Sequence, residues 1–371
     1  MDKCVSLYIH IPFCVRKCLY CDFLSYSGMN NKMMDYAHAL SKEILTLKKR
    51  NISTVFIGGG TPTYLPLEAW KIIGESLSEL NIKKDAEFTV EGNPGTFNEA
   101  VLEYLKSIGV NRISIGLQSW QNRLLKKLGR IHNIDDFMDS YKMARKSGFK
   151  NINVDLMFAI PDQSYKDWME TLKNVIDISP EHISCYSLII EKNTPYYEMN
   201  KKNMLNLADE ETERNMYFDA VRLLSENGYN QYEISNFSKK GYECKHNLVY
   251  WELKDYIGCG LGAHSYDNSV RYKNTDDINL YIKSPSENRE YKKNSVKDNI
   301  EEFMFLGLRK INGISEKEFE EKFKKDVFDI YGDVIDKYKK SKLLIEKDGR
   351  IYLTLQGISI SNYILSDFII S

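Results

Sequence analysis

The chain has 371 residues, 43% of them hydrophobic and 28% charged, the balance of a folded globular protein rather than a disordered one. Lysine and arginine number 51 against 52 aspartates and glutamates, a net charge of −1, which excludes a uniformly basic nucleic-acid surface. No apolar run reaches the ~20 residues of a membrane-spanning helix, and Met1-Asp2-Lys3-Cys4 leads into a strand-like segment without the regions of a signal peptide. A cytoplasmic protein with no transmembrane segment is therefore expected.

Strand-like runs at 6–11, 54–57, 87–91, 112–117, 152–157 and 182–188 alternate with helical periodicity at 34–47, 67–80, 98–108, 134–147 and 165–176. Six such units predict an α/β fold with a parallel sheet. Within the strands, Leu7, Ile9 and Ile11 oppose Tyr8 and His10; Ile113, Ile115 and Leu117 oppose Arg112, Ser114, Gly116 and Gln118; Ile152, Val154 and Leu156 oppose Asn151, Asn153 and Asp155. A doubly wound sheet would be apolar on both faces. One polar face fits a partial (β/α)6 TIM-like barrel whose lumen holds a polar ligand, over residues 1–195.

Residues 196–296 read as a connecting region rich in Tyr, Asn and charge, with 276–297 a polar linker. From 297 to 371, helical segments at 300–309, 316–323 and 327–340 precede strands at 343–346 and 350–353, joined by Lys347-Asp348-Gly349, with a last helix from Thr354. The pattern predicts a small α+β, winged-helix-like domain. Its 13 basic and 14 acidic side chains give no argument for DNA binding, and Lys-rich 337–342 reads as a solvated helix face.

Seven cysteines are present, and Cys14, Cys18 and Cys21 crowd into C-x3-C-x2-C after the first strand. Three thiolates on one loop can hold three irons of a [4Fe–4S] cluster and leave the fourth to a small molecule. A zinc site lacks its fourth ligand here, and cysteines that merely pack remain the plain alternative. Cys185 should point outward into packing, Cys259 answers a need for small residues, and Cys4 is given no role. Gly58-Gly59-Gly60-Thr61-Pro62-Thr63 follows the second strand; it is either a tight turn or a close approach of backbone to a ligand. Glu91, Gln118, Arg130 and Asp155 fall at or beyond strand ends, where βα barrels gather their sites; taken singly, each reads first as a salt bridge or cap.

The run Tyr8-Ile-His-Ile-Pro-Phe-Cys14-Val-Arg-Lys-Cys18-Leu-Tyr-Cys21-Asp-Phe resembles the signature of the radical S-adenosylmethionine (SAM) superfamily. More narrowly, the chain is similar, over nearly its whole length, to the branch holding the oxygen-independent coproporphyrinogen III dehydrogenases and the HemW-type haem chaperones. The resemblance implies a [4Fe–4S] cluster on Cys14, Cys18 and Cys21, and a GGTP segment holding the amino group of SAM. It implies Tyr8, Gly59 and Glu91 on one SAM molecule, and Gly60, Thr61, Gln118, Arg130 and Asp155 on a second, which only the dehydrogenase is expected to need.

Two departures from the dehydrogenase pattern point to the chaperone branch: no PNRYTSYPTA-like segment precedes Tyr8, and Phe23 stands where those enzymes carry a further cysteine. His246-Asn-Leu-Val-Tyr250-Trp251 resembles the HNxxYW motif of that branch. A neutral imidazole can ligate haem iron and flanking aromatics can pack a porphyrin, so His246 is the expected haem ligand. Cys244 is its rival, and a core histidine is the plain reading. The implied function is delivery of haem cargo to apo-haemoproteins, with cluster-linked homodimerisation; the alternative is coproporphyrinogen decarboxylation. A pure adaptor with a vestigial barrel would have lost the cysteines.

Overall fold

The computed structural model describes residues 4–370. Strands β1 (Cys4–Ile11), β2 (Asn51–Gly59), β3 (Asn81–Gly92), β4 (Arg112–Gln118), β5 (Ile152–Phe158) and β6 (His182–Ser187) are separated by α1 (Met33–Leu45), α2 (Leu67–Ser78), α3 (Glu99–Ser107), the pair α4 (Asn122–Lys127) and α5 (Ile134–Lys146), and α6 (Tyr165–Ile178). Each strand pairs in parallel with the next, which requires a crossover connection. Helix starts are set locally: Asn98, Asn133 and Ser164 accept first-turn amides, the last two in capping boxes with Asp136 and Asp167.

The strands are two-faced, as their alternation predicts. Leu7, Ile9, Ile11, Ile113, Ile115, Leu117, Ile152, Val154 and Leu156 are wholly buried in one core with Tyr36 and Leu40 of α1 and Trp168 of α6. Cys185 joins that outward core. The alternate residues turn to a lumen crossed by hydrogen bonds.

Residues beyond 195 begin with α7 (Pro195–Lys201) and α8 (Glu210–Glu226), then extend the sheet at both edges. On the β6 side lie β7 (Asn230–Glu233) and β8 (Asn236–Ser238), with β8 antiparallel to β6. A short helix, α9 (Lys245–Trp251), then precedes β9 (Tyr256–Cys259), which is parallel to β1. Outside it run β10 (His264–Asp267), β11 (Val270–Asn274) and β12 (Arg289–Lys293), all antiparallel. The twelve-stranded sheet has two ends, so the barrel is open.

Segment 276–297 is not a linker. It contains α10 (Ile278–Lys283) and the edge strand β12. Its polarity is that of a guarded sheet edge, where lysines and other charges discourage further pairing. What anchors it is invisible in composition. Glu43 of α1, its side chain fully buried, pairs with Arg289 Nη2 at 2.6 Å. It also accepts from Asn274 Nδ2, Tyr281 O–H and Gly260 N–H at 2.5–2.8 Å.

The C-terminal module comprises α11 (Val296–Gly307), β13 (Ile314–Ser315), α12 (Glu316–Phe323), α13 (Val327–Lys340), β14 (Leu344–Lys347), β15 (Arg350–Leu353), α14 (Leu355–Ser359) and α15 (Ser361–Ser366). Asp348 and Gly349 both take positive φ (55° and 70°), as a two-residue hairpin turn requires. Its first connection is sewn to β7: Ile234 N–H donates to Arg309 O and Ile311 N–H to Tyr232 O, each at 3.1 Å.

Glu43 is the one buried carboxylate joining α1 to three later elements, and removing one member of a buried charge pair costs about 3–5 kcal/mol. Glu43→Ala should lower the urea-unfolding free energy by about that amount. A loss below about 1 kcal/mol would mean that the pair does not hold the sheet edge.

Candidate functional site

The C-terminal ends of β1–β5 carry the loops that the sequence singled out. The cysteine loop is closed at its base, where Cys14 N–H donates to Tyr26 O at 2.9 Å and Tyr26 N–H to Pro12 O at 2.7 Å. It is held at its middle by Leu19, which donates to Leu128 O and accepts from Tyr196 N–H, both at 3.0 Å. Cys14, Cys18 and Cys21 are half-buried and in no disulfide. Thr61 Oγ1 donates to Cys14 Sγ at 3.5 Å, and Arg130 Nη1 to Cys18 Sγ at 3.6 Å. Burial pushes the Cys14 thiol up and the Cys21 thiol up to about 11. Among the described residues no three His, Cys, Asp or Glu side chains converge as ligands of one ion.

The glycine turn packs against this loop. Gly60 N–H donates to Ile11 O and Thr61 N–H to Phe13 O, both at 2.8 Å. A Cβ on Gly60 would lie 2.7 Å from Phe13 O, so only glycine fits there. Gly59 N–H donates to Glu91 Oε2 at 3.1 Å. Tyr8 O–H donates to His10 Nδ1 at 2.9 Å, and His10 Nε2–H to Leu24 O at 2.8 Å. Tyr8, Gly59 and Glu91 thus border one cavity of about 660 Å³, together with His10, Phe23 and Tyr250.

The second expected set is more spread out. Arg130 Nη2 donates to Asn93 Oδ1 at 2.5 Å and to Gly116 O at 2.6 Å, and Asn93 Nδ2 donates to Thr61 Oγ1 at 2.8 Å. Gln118 closes the group over Gly116, where a Cβ would lie 2.9 Å from its amide nitrogen. Gln118 takes φ +73° at a register shift between β4 and β5, a strained backbone of the kind that clusters at functional sites. Asp155 sits deeper, accepting from Ser114 Oγ at 3.0 Å and Asn153 Nδ2 at 2.8 Å. His10 and Asn93 were missed as site residues: only the strand alternation and the Glu91-Gly92-Asn93 string pointed toward them.

The floor of the lumen is α9. Glu87 accepts from Lys245 N–H and His246 N–H at 3.0 Å, and from Cys244 Sγ at 3.3 Å, so a strand carboxylate caps this helix, where its dipole favours negative charge. His246 is 1% exposed and stacks on Phe56 at 5.2 Å. Ser53 donates to Val5 O, and Thr54 donates to Ser6 Oγ. The Thr54 oxygen therefore accepts from His246 Nδ1–H at 2.8 Å. His246 Nε2 in turn accepts from Tyr250 O–H at 2.9 Å. Burial, then Arg112, lowers this imidazole to about 3: it is neutral, with both nitrogens engaged. Cys244 is fully buried, its thiol pushed up to about 12 by burial.

Burial, then the Asp155 charge, raises Glu91 from 4.5 to about 8. A carboxyl raised in the folded state contributes stability that is complete below pH 4.5 and lost as the pH rises through 8. In urea unfolding, Glu91→Gln should therefore gain on the wild type between pH 6 and pH 9, by about 1–3 kcal/mol. Parallel pH profiles for the two proteins would show that Glu91 is ionised throughout.

Residues 8–175 match the radical SAM superfamily and residues 294–360 the HemN C-terminal domain. Among curated relatives, the chain is 37% identical to the Heme chaperone HemW of Lactococcus lactis, over 100% of this chain and 98% of that protein. It is 38% identical to the Heme chaperone HemW of Bacillus subtilis, over 98% and 99%, and 39% identical to that of Escherichia coli, over 70% and 69%. The solved structure of the coproporphyrinogen III oxidase HemN from Escherichia coli superposes with a TM-score of 0.85, covering 99% of this chain and 90% of that one, at 21% identity. That likeness speaks for the fold: an α/β radical SAM barrel with a C-terminal α+β module. With its full-length relatives, the chain belongs to the radical SAM superfamily and, within it, to the HemW family.

Proposed function

We propose that this protein is a haem chaperone: it binds haem and hands it to apo-haemoproteins, and it carries a [4Fe–4S] cluster and SAM at the C-terminal rim of its barrel. The observation that carries this reading is the 37–38% identity, end to end, with proteins named Heme chaperone HemW. The fold it shares with a coproporphyrinogen oxidase, at 21% identity, does not decide between the two activities, because one fold hosts several functions.

Cys14, Cys18 and Cys21 would each hold one iron. The donor set suits the group: three thiols on a pinned loop, with Thr61 and Arg130 donating to two of the sulfurs. When bound, the cluster supplies an electron to a sulfonium ligand; the protein binds, orients and excludes water. The cavity bordered by Tyr8, Gly59 and Glu91 is the seat assigned to the SAM molecule. Gly60, Thr61, Gln118, Arg130 and Asp155 are the residues for a second, although Asp155 already accepts two hydrogen bonds. His246 and Cys244 are the iron-ligand candidates on α9. Each is buried, so ligation by either requires α9 to leave the lumen floor and the Glu87 contacts to break.

After anaerobic reconstitution, Cys14→Ser, Cys18→Ser and Cys21→Ser should each lose the broad visible absorbance and most of the iron. Full four-iron content in all three would remove the cluster from this loop. Haem added to the wild type should give a saturable Soret change and pass to an apo-haemoprotein, while coproporphyrinogen III supplied with SAM and reductant is recovered unchanged. Decarboxylated product would make the chain the dehydrogenase, and absence of haem binding would end the chaperone reading.

A further inference from the structure

The HNxxYW helix faces two ways. His246 and Tyr250, four residues apart and so on one face, belong to the lumen, where Tyr250 borders the cavity of Tyr8 and Glu91. Asn247 and Trp251, the other i,i+4 pair, border a separate cleft of about 640 Å³. This cleft opens between the end of β6, α8, the β7–β8 turn and residues 358–362 of the C-terminal module. Its volume falls within the range of sites that hold cofactor-sized ligands.

The cleft walls combine two properties. Tyr186, Tyr217, Trp251, Ile234 and Ile360 give flat aromatic and aliphatic surface. Around that surface, three buried polar atoms lack a partner: Asn236 Oδ1, on a residue 3% exposed, Trp251 Nε1 and Arg309 Nε. Each of these three atoms is itself closed off from the cleft surface. Arg309 lies over the Trp251 ring at 4.5 Å. Neither Arg309 nor Arg214 makes a salt bridge within 4.0 Å among the described residues, although the Arg309 charge acts on buried Glu233. The carboxylates facing them are Glu210, Glu213 and Glu233. Glu213 is engaged by Ser187, and Glu233 by Ser235 N–H at 2.9 Å and Asn236 Nδ2 at 2.5 Å.

We propose that this cleft is the seat of the haem: the ring lies against Trp251 and its neighbours, and the two propionates are held by Arg214 and Arg309. The inference rests on the chaperone reading and deepens it. Haem is a flat apolar plate with two carboxylates along one edge, and guanidinium forks bind carboxylates bidentately. No histidine borders the cleft. A seat built from ring walls and propionate anchors leaves the iron open to stronger ligation by a recipient. The Asn247–Trp251 side of the motif then holds the ring and its propionates.

Haem and haem dimethyl ester, whose propionates are capped, are titrated into the full chain and its variants, with iron content and circular dichroism as folding controls. Wild type should bind haem at least about tenfold more tightly than the ester, a difference of the size that losing charge-assisted hydrogen bonds produces. Arg214→Ala/Arg309→Ala should bind both equally, at the level of wild type with the ester. Trp251→Ala should weaken both ligands, and Trp251→Phe should restore most of the loss. Arg214 is exposed on α8, so Arg214→Gln alone reads the propionate contact if Arg309→Ala does not fold. Haem binding by the wild type that no cleft variant alters overturns the cleft and leaves the chaperone reading standing. A wild type that binds no haem overturns both.

Discussion

The constraint on which this molecule turns is the satisfaction of a polar interior. Six parallel strands direct one face of side chains into a lumen that an open sheet cannot seal. Buried polar groups left unpaired are costly, and the chain answers with a helix inserted from below. Glu87 receives the first amides of α9, and α9 returns His246 to Thr54 and Tyr250. Cys244 N–H meets Tyr232, which bonds His182, which bonds Asn153 beside Asp155. The lumen is wired from its floor toward its rim. The cysteine loop and glycine turn are arranged on top of that scaffold, and their geometry inherits its rigidity.

Much of this was legible in the sequence because it is local. Alternation of period two placed Tyr8, Gln118 and Asp155 on the lumen face without any knowledge of partners. The cysteine spacing and the triple glycine announce themselves within a few residues. What was not legible depends on distance. Glu87 lies 157–159 residues before the atoms it holds, and nothing near it in the sequence marks a cap. Arg289 looks like linker composition until Glu43, 246 residues earlier, is brought against it. His246 shows the same limit from the other side. Its chemistry as a ligand can be read from the residue, but occupation of its nitrogens by Thr54 and Tyr250 cannot. The i,i+4 spacing of His246 and Tyr250 was the available hint.

The barrel and the C-terminal module are joined where the chemistry changes character. The rim cavity is walled by Tyr8, Gly59 and Glu91 with Lys17 and Asp22 of the cysteine loop; the cleft beside α8 gathers aromatic surface and arginines. One seven-residue helix separates them and presents a different pair of its residues to each. A change that shifted α9 would therefore alter both rooms at once. This gives physical content to any coupling between the rim and the cleft, since coupling requires an element that both sites contact.

The order of the sheet also has a consequence for how the chain is made. β1 is synthesised well before β9, yet one of its edges is covered only by β9 at Tyr256–Cys259, and Glu43 waits for Arg289. At about 5–20 residues per second, β1 leaves the ribosome on the order of ten to fifty seconds before the strand that covers it. During that interval an apolar parallel edge stands open, the feature most prone to pairing with the wrong chain. The six βα units can assemble as they emerge, whereas the closing strands cannot. The nascent protein is thus longest at risk along the strand that bears Tyr8 and leads into the cysteine loop, and native pairing at that edge is a late event of its folding.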